Sequence, residues 1–132
     1  GRLGMIFDTT AANKNKIVSY KKMLDKLGYD YKMVFVSTSL QNALDRNNKR
    51  ARKLPHNIVQ GDWEKAKKNA DEFRKLFGKD FVEIANDDDF ATLQRKATSL
   101  YSKLLTWTSR FPTNKVALKW RERMLLRKQD GR

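Results

Sequence analysis

Tyr31-Lys32-Met33-Val34-Phe35-Val36 is a run of aromatic, apolar and β-branched residues, and Ser37-Thr38-Ser39 behind it offers the hydroxyls that cap helix N-termini. The spacing after it predicts a helix from Leu40 to about Lys53, closed off by Pro55. A strand that runs straight into a helix is half of a crossover unit, so attention turns to its partners on either side.

Upstream, Leu3-Gly4-Met5-Ile6-Phe7 is a short apolar run ending at Asp8, with the polar Thr9-Thr10-Ala11-Ala12-Asn13 behind it. Apolar residues then recur at Ile17, Tyr20, Leu24 and Leu27 up to Gly28, a buried helical stripe with a C-cap glycine. Strand, helix and strand in this order predict a right-handed βαβ unit with parallel strands. Downstream, Val59, Trp63, Ala66, Ala70, Phe73 and Phe77 mark a long amphipathic helix that stops at Gly78. Phe81-Val82-Glu83-Ile84-Ala85 reads as a third strand, closed by Asn86-Asp87-Asp88-Asp89. Leu93, Ala97, Leu100, Leu104, Trp107 and Phe111 form another helical stripe as far as Pro112, and a last helix is expected over Asn114 to Arg127. The fold class predicted is α/β: a small parallel sheet of about three strands (Leu3–Phe7, Tyr31–Val36, Phe81–Ala85) with flanking helices and a helical C-terminal extension. With no repeat and no Gly/Ser linker, residues 1–132 read as one domain, 1–89 being the α/β portion and 90–132 a basic helical extension.

Formal charge is +14, from 29 Lys and Arg against 15 Asp and Glu. Residues 1–55 hold 12 basic and 4 acidic side chains, residues 56–94 hold 6 and 9, and residues 95–132 hold 11 and 2. Two basic regions thus flank an acidic one, and the expected partner is a polyanion, a nucleotide or a nucleic acid. The chain has no cysteine and no long apolar run, which excludes a disulfide scaffold and a membrane span and points to a cytoplasmic protein. One histidine, His56, without cysteines excludes a zinc site, and as the neighbour of Pro55 it reads as a helix-start residue and not a catalytic one. Asp87-Asp88-Asp89 could hold a divalent cation, but adjacent side chains of an extended segment diverge, so it reads as a solvated turn and no metal site is assigned.

Two constellations point to phosphate chemistry. Asp8 and Thr9 stand at the carboxyl end of the first expected strand, where open parallel sheets place ligands and where loops lead into helix N-termini. Asp8 could equally cap the following helix. Arg46 and Arg50 are one helical turn apart on the expected Leu40–Lys53 helix, so two forked guanidiniums on one face could clamp a phosphate; a solvated basic face is the plainer reading.

An apolar strand ending in Asp8-Thr9 with Asn13 behind it, a helix, a Met-Val-Phe-Val strand, then Leu44-Asp45-Arg46-Asn47 with Arg50, a basic stretch, Pro55 and an amphipathic helix resemble polynucleotide kinases and zeta-toxin-like phage kinases. The resemblance covers residues 3 to 86. It implies a P-loop phosphotransferase using ATP and Mg²⁺, with Asp8 as a Walker-B-like residue and Arg46 and Arg50 as lid arginines. The six glycines form no G-x-x-x-x-G-K pattern, so the phosphate-cradling loop of that family is missing, and so is its general base. The 132 residues alone are therefore expected to be a very poor kinase, either part of a longer kinase or a derivative with another task. Catalytic residues stay unassigned. A sheet without its phosphate-loop strand leaves open edges, which predicts self-association. The alternative, of a different class, is a non-catalytic basic module for nucleic acid on a kinase-like scaffold, or a self-associating subunit. The tail supports it: Lys103, Arg110, Lys119, Arg121 and Arg123 interleave with Tyr101, Trp107 and Trp120, though Trp107 also fits a core stripe.

Overall fold

The computed structural model describes residues 3–131. In chain order it contains helix α1 (Lys14–Leu27), strand β1 (Met33–Ser37), helix α2 (Leu40–Asn48), helix α3 (His56–Phe77), a 3₁₀ turn (Gly78–Asp80), strand β2 (Phe81–Ala85), helix α4 (Phe90–Thr108) and helix α5 (Lys115–Gln129). β1 and β2 pair as a parallel two-stranded sheet, so α2 and α3 together form the crossover between them. The fold is α/β with a helical C-terminal part, as the patterning predicts.

The sheet has two strands among the described residues because Leu3–Phe7 forms none. Strand-like composition alone does not make a strand. Backbone groups need a ladder partner, Gly4 weakens the run, and Ile6 is left 97% exposed. The expected βαβ unit around α1 is therefore absent, and the crossover lies one element later in the chain. α2 is also shorter than expected, ending at Asn48 and not near Lys53. Arg46, Lys49, Arg50 and Lys53 would be like-charged neighbours along a longer helix, and Pro55 pushes Leu54 out of helical geometry. α4 likewise stops at Thr108, which leaves Phe111 outside the helix and 67% exposed.

The chain divides into two compact units. The first holds residues 1–15 and 34–87. Here α2 and β2 pack on α3, whose Val59, Trp63, Ala66, Ala70, Phe73 and Phe77 stripe is withdrawn from solvent along its whole length. Phe73 is fully buried, and Phe35 of β1 stacks on Phe81 of β2 with ring centroids 5.9 Å apart. The Trp63 indole N–H donates to the Thr38 carbonyl (2.8 Å), tying α3 to the segment between β1 and α2. Gly78 ends α3 at φ 52°, a left-handed value at which a side chain would be strained.

The second unit holds residues 16–33 and 88–132. α1 ends in a Schellman turn: the Tyr29 N–H reaches the Leu24 carbonyl (2.9 Å), the Gly28 N–H reaches Asp25 (3.2 Å), and Gly28 takes φ 83°. Asp30, the residue after Tyr29, accepts from the backbone N–H groups of Thr113 (2.7 Å) and Asn114 (2.9 Å). Asn114 uses both ends of its amide. Its oxygen caps α5 by accepting from the Val116 N–H (2.9 Å), and its nitrogen donates to the carbonyls of Asp25 and Tyr29, both at 3.3 Å. One side chain thereby satisfies the start of α5 and the end of α1. Lys32 sits over the Trp107 ring (5.3 Å), consistent with Trp107 being half-buried on its stripe.

Candidate functional site

Asp8 and Thr9 lie in a segment without regular structure, immediately before a tight turn. Thr10 Oγ1 accepts from the Ala12 N–H (3.4 Å), and Ala11 adopts φ 60°, a conformation that costs a non-glycine residue roughly 1–2 kcal/mol. The surroundings hold it there: Ala11 is buried, and the Asn69 side-chain amide of α3 donates to the carbonyls of Ala11 (3.1 Å) and Ala12 (3.2 Å). Lys14, at the start of α1, pairs with Glu72 of α3. The turn after Asp8 is thus fastened to the long helix, and the exposed Asp8 carboxylate makes no hydrogen bond or ion pair among the described residues.

The carboxyl ends of β1 and β2 are closed by protein groups. Asp87, just past β2, accepts from the Ser39 N–H (2.9 Å), Thr38 Oγ1 (2.7 Å) and the Asn42 side-chain amide (2.6 Å). The Ser39 N–H, then the Asn42 and Thr38 side chains, hold its carboxyl down at about 2. Ser39 meanwhile caps α2 by accepting from the Asn42 N–H (3.3 Å). In an ordinary capping box the third helical residue reaches back to the N-cap N–H. Here a carboxylate from 48 positions further along the chain does so. An anion-binding helix N-terminus is therefore already occupied by the protein's own charge. The aspartate triplet is divided, as its divergence predicts: Asp88 pairs with Lys96, and Asp89 caps α4 by accepting from the Thr92 N–H (3.0 Å). No group of three or more His, Cys, Asp or Glu among the described residues could hold a metal ion.

Arg46 and Arg50 do not share a helical face, because α2 ends between them. Arg46 donates to the Asn86 carbonyl (2.6 Å) and so braces the end of β2 against α2. Arg50 lies in the segment that follows. That segment is organised by Asn47, a polar side chain only 5% exposed. Its amide nitrogen donates to the Leu54 carbonyl (2.9 Å), and its amide oxygen accepts from the Leu54 N–H (3.0 Å). This two-pronged bridge closes residues 48–53 into a loop with its ends held together. Lys49, Arg50, Arg52 and Lys53 are all exposed on the loop, and none of their side chains has a hydrogen bond or carboxylate partner among the described residues. No known protein family, curated protein or solved structure matches this chain. The site accordingly rests on its own geometry.

That geometry supplies two things: a closed loop carrying four exposed cations that have no partner among the described residues, and an exposed carboxylate beside a strained, anchored turn. Cations without internal partners stay available for an external anion, and a loop tied at both ends loses less conformational entropy when it binds one. The sequence alone gave Asn69 no role, and it showed Asn47 only as part of the kinase-like stretch, Asp87 only as part of the aspartate triplet and Asn114 only as the start of the last expected helix. Asn47 and Asn48 are adjacent and chemically identical, and only the chain path past Pro55 turns one of them into a clasp. Among the described residues no helix is long and apolar enough to cross a membrane.

Proposed function

We propose that this chain is the phosphate-gripping portion of a nucleotide-dependent phosphotransferase, in which the loop closed by Asn47 acts as a lid over a nucleotide's phosphates. The observation that carries the reading is this loop, closed by two hydrogen bonds and presenting Lys49, Arg50, Arg52 and Lys53 with no partner among the described residues. Its place in the chain supports the same reading, since it stands after the Met33-Val34-Phe35-Val36 strand and before Pro55, in the stretch that resembles the lid of polynucleotide and zeta-toxin-like kinases. Arg50 and Arg52 would hold phosphate oxygens through charge-assisted forks, and Arg46 would position the loop through its bond to Asn86. A single exposed carboxylate suits Mg²⁺, which takes one or two protein oxygens and fills its shell with water and nucleotide phosphates; Asp8 is the residue that would hold it. The ion would supply neutralisation of phosphate charge. With no G-x-x-x-x-G-K loop in these 132 residues, the reading assigns them binding and positioning, not unaided phosphoryl transfer.

Titration with a fluorescent ATP analogue in the presence of Mg²⁺ tests the reading. Replacing Arg50 with Ala removes charge-assisted bonds worth about 1.5–3 kcal/mol, so affinity is expected to fall roughly tenfold to a hundredfold. Lys22→Ala with Lys26→Ala removes two exposed charges from α1 and is expected to leave affinity nearly unchanged. Lys21 would be a poor control, because it is paired with Asp25 (3.2 Å) and lies over the Tyr31 ring. Equal weakening by the lysine pair would reduce the lid to a diffuse basic field and sink the reading.

A further inference from the structure

α5 carries a second cationic feature, in a part of the chain outside the residues 3–86 that resemble the kinases. Lys115, Lys119, Arg123 and Arg127 recur every four residues, so the row drifts only about 40° around the helix and advances about 6 Å along it at each step. Trp120 stands at the edge of this row, about one turn from Val116 and from Arg123, and is 53% exposed. Arg123 Nε donates to the Lys119 carbonyl (3.3 Å), and no side chain of the row meets a carboxylate among the described residues. The helix is presented firmly, because Asp30 and Asn114 fasten its first turn to the end of α1.

The arrangement discriminates between polyanions. A helix that binds a lipid surface gathers its apolar residues on one face and its cations on another. In α5 the two kinds are mixed: the exposed Leu126 lies among the four cations of the row, and Arg121 and Lys128 stand with the exposed Leu118 and Leu125 on the other side. A row of cations bordered by a flat, accessible ring fits a ligand that carries phosphates along its backbone and stackable bases beside them. We propose that this face of α5 binds single-stranded nucleic acid, the four cations following the phosphates while Trp120 stacks on a base. The proposal does not depend on the nucleotide lid, and either can fail alone.

The test uses the whole chain and the fluorescence anisotropy of a 5′-fluorescein-labelled twelve-residue oligothymidylate. Each phosphate neutralised on a single strand contributes about −0.7 to the slope of log K against log salt, so four contacts give roughly −3. Lys119→Ala, Arg123→Ala and Arg127→Ala together are expected to reduce that slope by about 2 and to weaken binding at least tenfold. Trp120→Ala is expected to weaken binding roughly fivefold to a hundredfold at an unchanged slope, and Trp120→Phe to restore most of it. A matched triple replacement on α3, Lys65→Ala, Lys68→Ala and Lys75→Ala, should leave both quantities nearly intact. Circular dichroism of each variant establishes that its helices are retained. The proposal is overturned if the two triple variants weaken binding equally, or if Trp120→Ala binds like the wild type. It is also overturned if a duplex of the same length binds as tightly as the single strand, or if phosphatidylglycerol vesicles compete away the oligonucleotide through Trp120.

Discussion

Replacing Asn47 with Ala isolates the clasp that shapes the basic loop. Asn47 makes two hydrogen bonds to the Leu54 backbone, at 2.9 and 3.0 Å, from a position 5% exposed. At about 0.5–1.5 kcal/mol each, the pair contributes roughly 1–3 kcal/mol. Two effects reduce the loss. Leu54 is exposed, so water can replace the amide on its backbone groups, and Ala is a better helix former than Asn in the last turn of α2 by up to about 0.7 kcal/mol. A net cost of about 1–2 kcal/mol is expected, which raises the open population of the loop roughly fivefold to thirtyfold. Two measurements follow. Urea denaturation should show the stability loss, and limited trypsin digestion should cut after Lys49, Arg50, Arg52 or Lys53 faster by a comparable factor, because proteolysis tracks the open form when opening is rapid. Asn48→Ala, one position along, should change neither. Unchanged cleavage in Asn47→Ala, with a stability loss under about 0.5 kcal/mol, would refute the clasp.

The remaining expectations concern other joints of the fold. Asp87 is held at about 2 by its hydrogen bonds, below its ordinary 3.8, so its contribution to stability is complete above 3.8 and is lost as pH falls from there through about 2. Acid unfolding of Asp87→Asn, followed by circular dichroism, should be less steep than wild type across that window. Phe73→Ala empties the one large side chain that is fully buried among the described residues and should cost about 3–5 kcal/mol by denaturant titration. Asn114→Ala removes an N-cap and should cost about 1 kcal/mol; amide exchange should quicken in the first turn of α5 and at the end of α1, both of which this side chain serves.

What was legible in the sequence was mainly periodicity. The six-residue stripe of α3, the strand Phe81–Ala85, and the Gly28 and Gly78 stops all follow from spacing and backbone chemistry that need no knowledge of the rest of the chain. Leu3–Phe7 was misread because strand propensity reports the residue's preference and not whether a pairing partner exists. The helical face shared by Arg46 and Arg50 failed for a related reason: like charges and Pro55 work against a longer α2, and the chain beyond it is held in a loop by a contact from Asn47 to Leu54, which spacing cannot show. The Asp87 and Asn114 joints bridge residues 48 and 89 positions apart, and such long-range polar closures leave no local pattern. Of the candidate site, the residue types and their order were readable, whereas the device that fixes them was not.

Hydrogen–deuterium exchange of the full chain with and without ATP and Mg²⁺ tests the central claim most directly, because it reports where a nucleotide is held as well as whether it binds. A nucleotide gripped by the lid should slow exchange at the amides of residues 49–54 and in the turn after Asp8, and Asn47→Ala should abolish the protection of the loop. Protection confined to α5, or none at millimolar ATP, would contradict the account.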